Sequence, residues 1–204
     1  MNVVVPVSVL LPIFFAILRY RSLTPAAKAI LLYLCFSALL YCVTLYIGRV
    51  LHKNNLPVFH IGTLLEFLLL AEVYKKLLPY KKAIIAIQLF FIAACIVNSL
   101  FFQSIYIFNS YTRSLEAILL MLLAINYFAK LFTELSSVRL IELPSFWYNT
   151  GIFLYFSGAF MLFIFSNYIV VGSFKNYSII FGIHAALILL MYLLFTLGFL
   201  KCKK

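Results

Sequence analysis

The chain alternates between long apolar runs and short polar knots, and the runs set the architecture. They predict helices at about residues 3–18, 26–50, 57–78, 83–102, 112–132, 146–170 and 178–200, most near the roughly 20 residues that cross a 30 Å hydrocarbon core. Prolines sit where helices tolerate them. Pro25 and Pro57 fall in first turns, Pro79 follows a helix end, and Pro144 with Ser145 opens the sixth segment,. The first run is the shortest and carries Pro6 and Pro12, which are expected to kink it, so it either spans or re-enters. No basic residue precedes it, while Arg19 and Arg21 follow, a flank that fits a retained anchor with its amino terminus outside rather than a cleaved signal peptide,.

Composition then fixes the class. With 66% hydrophobic and 10% charged residues, the chain is too apolar to cover a water-soluble domain. The expected fold is all-α: a polytopic membrane protein forming one seven-transmembrane-helix bundle over residues 1–204.

Counting basic residues loop by loop orients the bundle. If the amino terminus lies outside, the inner side holds Arg19, Arg21, Lys28, Lys75, Lys76, Lys81, Lys82, Lys130, Arg139, Lys201, Lys203 and Lys204, and the outer side only Arg49, Lys53, Arg113 and Lys175. The positive-inside rule therefore places the carboxyl-terminal tail in the cytoplasm. The formal net charge of +11 is thus mainly a topology signal. Lysines scattered over short loops do not make a nucleic-acid surface; attraction to anionic lipid headgroups is what they imply.

Orientation gives depth to the rare polar residues. There is no aspartate, and the only acids are Glu66, Glu72, Glu116, Glu134 and Glu142. At 1.5 Å per residue Glu66 lies roughly 14 Å below the outer end of the third helix, near mid-membrane. His60 is about one turn in, and lies about 240° around the helix from Glu66, so the two are not a simple dyad. Arg113 and Glu116, three apart on one face, can pair. Arg49, Asn98, Asn167 with Tyr168, and His184 add polar groups to the same outer half, whereas the inner half offers Gln88, Asn126, Trp147, Tyr148 and Asn149 but nothing ionisable well inside. Glu72 and its lysines are shallow enough to snorkel.

These residues define candidates for an outward pocket: Glu66, Arg113, Glu116, His60, His184, Arg49, Asn98 and Asn167. Each has a plainer reading beside it. Arg49 and Arg113 can snorkel to headgroups, Arg113 and Glu116 can be a structural pair at a helix start, and His184 can be a neutral hydrogen-bonded histidine. Glu66 is different: a mid-membrane carboxyl must pair across helices, with Arg49, Arg113 or a histidine, or stay protonated.

Other chemistries find little support. His60, His184, Glu66 and Glu116 show no i, i+4 ligand spacing and no HExxH motif, so neither metal nor cofactor is expected. GxSxG, P-loop and GxGxxG signatures are missing. Cys35, Cys42 and Cys95 lie in apolar helices, Cys35 and Cys42 at packing spacing on one face, while Cys202 sits in the basic tail as a reduced thiol or a palmitoylation site,. Tyr41, Tyr46, Tyr106, Tyr111, Trp147, Tyr148 and Tyr177 fit an interfacial belt. Gly151, Gly158 and Gly182 predict close packing of helices six and seven.

The segments His-Ile-Gly-Thr-Leu-Leu-Glu-Phe, Arg-Ser-Leu-Glu-Ala and Pro-Ser-Phe-Trp-Tyr-Asn-Thr-Gly resemble a pattern in small uncharacterised seven-helix bacterial membrane proteins. The resemblance implies a multi-pass inner-membrane location and no particular activity. Seven-helix hydrolases of the ceramidase type need aspartate, and retinal proteins need a lysine in the last helix; both are missing here. Three function classes follow. The first is a sensor, receptor-like module or small carrier binding an anionic or amphiphilic ligand. The second is an intramembrane enzyme acting on a lipid or isoprenoid with Glu66 as acid or base, and the third an assembly subunit of a membrane complex. Short termini imply that any signal leaves through a membrane or cytoplasmic partner protein docked on the basic inner loops.

Overall fold

The computed structural model describes residues 7–134, 139–171 and 177–202, without the side chains of 166–171 and 177–181. Pro6, Lys175, Lys203 and Lys204, and the side chains of Asn167, Tyr168 and Tyr177, lie outside the described residues. Within them the chain forms seven helices and no strand: α1 Leu10–Leu18, α2 Pro25–Leu45, α3 Leu56–Leu77, α4 Lys81–Val97, α5 Ser110–Glu134, α6 Pro144–Val171 and α7 Tyr177–Lys201. Six of them, α2 to α7, are long and apolar enough to cross a membrane.

The exception is α1. Its nine residues reach about 14 Å at 1.5 Å per residue, short of a 30 Å core. Pro12, expected to kink the first segment, follows an interruption: Val7 and Ser8 are helical and a turn at Val9 separates them from Leu10–Leu18,. The entry to α2 is more strongly specified: the Thr24 hydroxyl accepts from the Ala27 N–H at 3.2 Å, and Pro25 occupies the first helical position,. α2 and α4 each end in one π turn, Tyr46–Val50 and Asn98–Phe102.

The helices α1, α2, α3, α5, α6 and α7 pack in a ring in that order, with α4 on the flank of α3. α6 and α7 form one of the two largest contacts, and their glycines show why. A methyl group added at Gly151 would sit 2.9 Å from the Phe195 ring, and one at Gly158 2.7 Å from Leu187, so the helices approach as closely as hydrogen allows. The outer surface is apolar, with Leu39, Ile61, Leu89, Phe101 and Leu122 exposed, while Thr63, Glu66, Asn109, Glu116 and Asn149 are buried. That inversion suits lipid, which solvates alkyl groups but leaves polar groups unsatisfied.

The lysine-rich end is fastened by hydrogen bonds between helices. Arg19 Nη1 donates to the Cys202 carbonyl at 2.7 Å, tying the end of α1 to the end of α7. Lys130 Nζ donates to the Leu77 carbonyl at 2.8 Å and so satisfies an orphan at the end of α3,. One turn or more deeper, the Tyr74 hydroxyl donates to Asn149 Oδ1 at 2.9 Å, and Asn149 Nδ2 to the Ala124 carbonyl at 3.1 Å. This half of the bundle is therefore cross-linked across α3, α5 and α6.

Candidate functional site

The other half, where α2 ends and α3, α5 and α7 begin, contains a cavity of about 560 Å³. Its rim carries Arg49 and Asn55, its shaft Tyr41, Thr44, Phe59 and Ile188, and its floor Tyr33, Glu66, Arg113, Tyr155, His184 and Tyr192, with Val9 entering just before α1. Sixteen residues separate Tyr33 from Arg49 along α2, about 24 Å of helix. Among the described residues, walls come from all the ring helices except α1, and Val9 stands just before it.

The floor is organised around Arg113. On α5 it shares a face with Glu116, three residues on, and lies above Asn109, the residue just before the helix, and this side meets α3 at Thr63 and Glu66,. Arg113 Nη1 donates to Glu66 Oε2 and, at 2.9 Å, to Glu116 Oε2. The Tyr33 hydroxyl donates to Glu66 Oε1 at 3.1 Å, so both oxygens of this carboxyl are engaged. The Arg113 guanidinium also lies over the Phe163 ring, 4.9 Å from its centroid, a placement that desolvated cations favour. Asn109 Nδ2 donates to Thr63 Oγ1 at 2.8 Å and holds α5 in register on α3.

Two further hydrogen-bonded pairs complete the floor. The Tyr155 hydroxyl and His184 Nε2 share a hydrogen bond of 3.2 Å between α6 and α7. The Ser37 and Tyr192 hydroxyls share one of 3.2 Å between α2 and α7. Among the described residues no three His, Cys, Asp or Glu side chains group at metal-binding range.

Four of the eight sequence candidates, Glu66, Arg113, His184 and Arg49, line the cavity. Glu116 does not: it is fully buried behind Arg113, and its Oε1 has no protein partner among the described residues. His60 also stands away from the cavity, with Nε2 3.0 Å from the Ile107 carbonyl, where it fastens α3 to the loop before α5. Asn98 belongs to a separate relay, its Nδ2 donating to Gln103 Oε1 at 3.2 Å and Gln103 Nε2 to Ser110 Oγ at 2.8 Å. Asn167 lies outside the described residues. Cys202 is buried, within 3.7 Å of the Tyr148 hydroxyl, which does not suit an accessible palmitoylation site, and Cys35 and Cys42 are exposed on the bundle surface rather than packed inside it.

Sequence reasoning passed over Tyr33, Ser37, Tyr155, Tyr192, Asn55 and Asn109. One signal was there to find: Tyr33, Ser37, Tyr41 and Thr44 repeat at spacings of four, four and three, a single hydroxyl-bearing stripe on α2. The chain matches no family model, no curated protein and no solved structure, so the meaning of this site rests on its own geometry.

Proposed function

We propose that this is a multi-pass inner-membrane protein, amino terminus outside and carboxyl terminus cytoplasmic, that binds a small amphiphile in its outward-facing cavity and serves as a sensor, receptor-like module or carrier. The observation that carries this reading is the cavity itself: a buried polar floor of six hydrogen-bonding side chains under a shaft with aromatic and aliphatic walls. Its volume falls within the 300–1,000 Å³ range of small-molecule sites, and a molecule with one polar end and one apolar end uses both regions. Orientation rests on the excess of lysine and arginine at the opposite end of the bundle,. A signal or conformational change leaves through a partner at that basic face.

Binding suits the floor better than acid or base catalysis, because both Glu66 oxygens already accept hydrogen bonds and a general base needs a free one within reach of substrate. The test is mass spectrometry of small molecules and lipids that co-purify with the native protein and with Glu66→Gln. A species retained by the native protein and lost from the variant names the ligand class; indistinguishable profiles overturn the reading. For orientation, Lys53→Cys on the α2 to α3 loop is expected to react with an impermeant maleimide on intact cells, and Lys82→Cys only after permeabilisation. The opposite pattern inverts the topology.

A further inference from the structure

Charge balance narrows the cavity's occupant, an inference that rests on the pocket reading above. Glu66, Glu116 and Arg113 have side-chain exposures of 11%, 0% and 14%, and the two carboxyl groups turn to the one guanidinium. As a buried set of two acids and one base, the cluster is one positive charge short.

Among the described residues the surrounding helices do not supply that charge. α2 contributes Tyr33 and, at the far rim, Arg49; α6 contributes Tyr155; α7 contributes Tyr192 and His184. His184 turns Nε2 to the Tyr155 hydroxyl rather than to either carboxyl, and behind Glu116 the titratable neighbour on α4 is Cys95. Uncompensated charge at this depth is costly. An anionic head does not relieve it, since Arg113 already donates to both acids and covers Phe163 with its guanidinium face. A cation does, and tyrosine rings on the floor are the side chains that accept one.

We propose that the site holds one monovalent cation: a proton in the empty protein, and in the loaded protein the head of a lipophilic organic cation of the ammonium class, with Ile188, Met191 and Leu40 along its apolar part. Loading is then an exchange in which one head enters and one proton leaves to the aqueous side, so charge is conserved. Glu116 matters here although it never touches the cavity, because it is the second acid that leaves the cluster short of a cation.

The test uses purified full-length protein in phosphatidylcholine nanodiscs, with tetraphenylphosphonium and tetraphenylborate as probes of one shape and opposite sign, and empty nanodiscs to subtract partitioning. Titration calorimetry in two buffers of different protonation enthalpy reads the protons released. The expected result is saturable tetraphenylphosphonium binding, about one proton released per cation, and an affinity that rises with pH. Glu116→Gln and Glu66→Gln are each expected to abolish proton release and weaken binding at least tenfold. Preference for tetraphenylborate, binding without proton release, or native-like cation binding by folded Glu116→Gln overturns cation selection. In those cases Glu66-dependent retention of another probe leaves the pocket reading standing. If neither probe binds saturably, cation selection falls, and the co-purification profiles of the native protein and Glu66→Gln decide the pocket reading. Sign preference and proton count come from the native protein, so they decide the matter even if a variant misfolds.

Discussion

Removing the base from a cluster of two acids and one base should cost far more than removing an acid. In Arg113→Gln, Glu66 and Glu116 lose their shared donor while staying buried; breaking a buried pair from one side costs about 3–5 kcal/mol. That is two to three and a half decades in the unfolding constant. In Glu66→Gln the amide oxygen still accepts from Arg113 while its NH2 group donates to the Tyr33 hydroxyl oxygen,, and Arg113 is left in a balanced pair with Glu116. The loss of one charge-assisted hydrogen bond, about 1.5–3 kcal/mol, is then offset because the variant buries one acid fewer and needs no added proton to balance Arg113. The net change should fall below about 1 kcal/mol. The double variant Arg113→Gln, Glu66→Gln should recover at least about 1 kcal/mol relative to Arg113→Gln alone, a coupling of the size expected within one network. The assay is unfolding by sodium dodecyl sulfate in mixed micelles, followed by far-ultraviolet circular dichroism. Arg113→Gln as stable as the native protein, or Glu66→Gln as damaging as Arg113→Gln, refutes the reasoning.

Three further outcomes can be checked with the same preparation. Asn149→Ala leaves the fully buried Tyr74 hydroxyl without its acceptor and should cost about 1–3 kcal/mol; adding Tyr74→Phe should return part of that, and a purely additive pair contradicts the orphan argument. Gly151→Ala drives a methyl into the fully buried Phe195 ring and should destabilise by about 1–3 kcal/mol, whereas Gly158→Ala meets the half-buried, rotatable end of Leu187 and should cost less. With the other three cysteines replaced by serine, Cys202 should resist a membrane-permeant maleimide until detergent unfolds the protein, since its thiol is enclosed by Tyr148 and α7; rapid labelling of the folded protein would contradict that packing.

Helix positions were legible because hydropathy and proline punctuation agree. Counting the π turns that finish α2 and α4, the ends of α2 to α7 lie within two residues of those expected, and the expected start of the first segment at residue 3 lies outside the described residues. The pairing of Glu66 was legible as a need: a deep carboxyl requires a partner, and of the three kinds of partner considered, the one it meets is Arg113. What the sequence hid is which face turns inward. In segments as uniformly apolar as α6 and α7, inner and lipid-facing positions carry the same residue types, so Tyr155 and Tyr192 do not stand out from the other aromatics. Glu116 and His60 were misplaced for a related reason: depth follows from counting residues, but azimuth depends on how neighbouring helices cross. The quiet inner half was a matter of charge alone, because Tyr74 and Asn149 bridge helices there without any ionisable group.

The cavity wall runs in sequence from Val9 to Tyr192, and this has a consequence for biosynthesis. Glu66 emerges from the ribosome 47 residues before Arg113, so α3 must enter the bilayer carrying an acid whose base has not yet been made. Its apolar residues have to outweigh that burden, roughly 2.5–3.5 kcal/mol for a lone charge on insertion scales. Closure waits longer still, until α7 arrives and Arg19 finds the Cys202 carbonyl. A chain halted before that point would leave Ser37 on α2 and Tyr155 on α6 without the α7 partners that cover them.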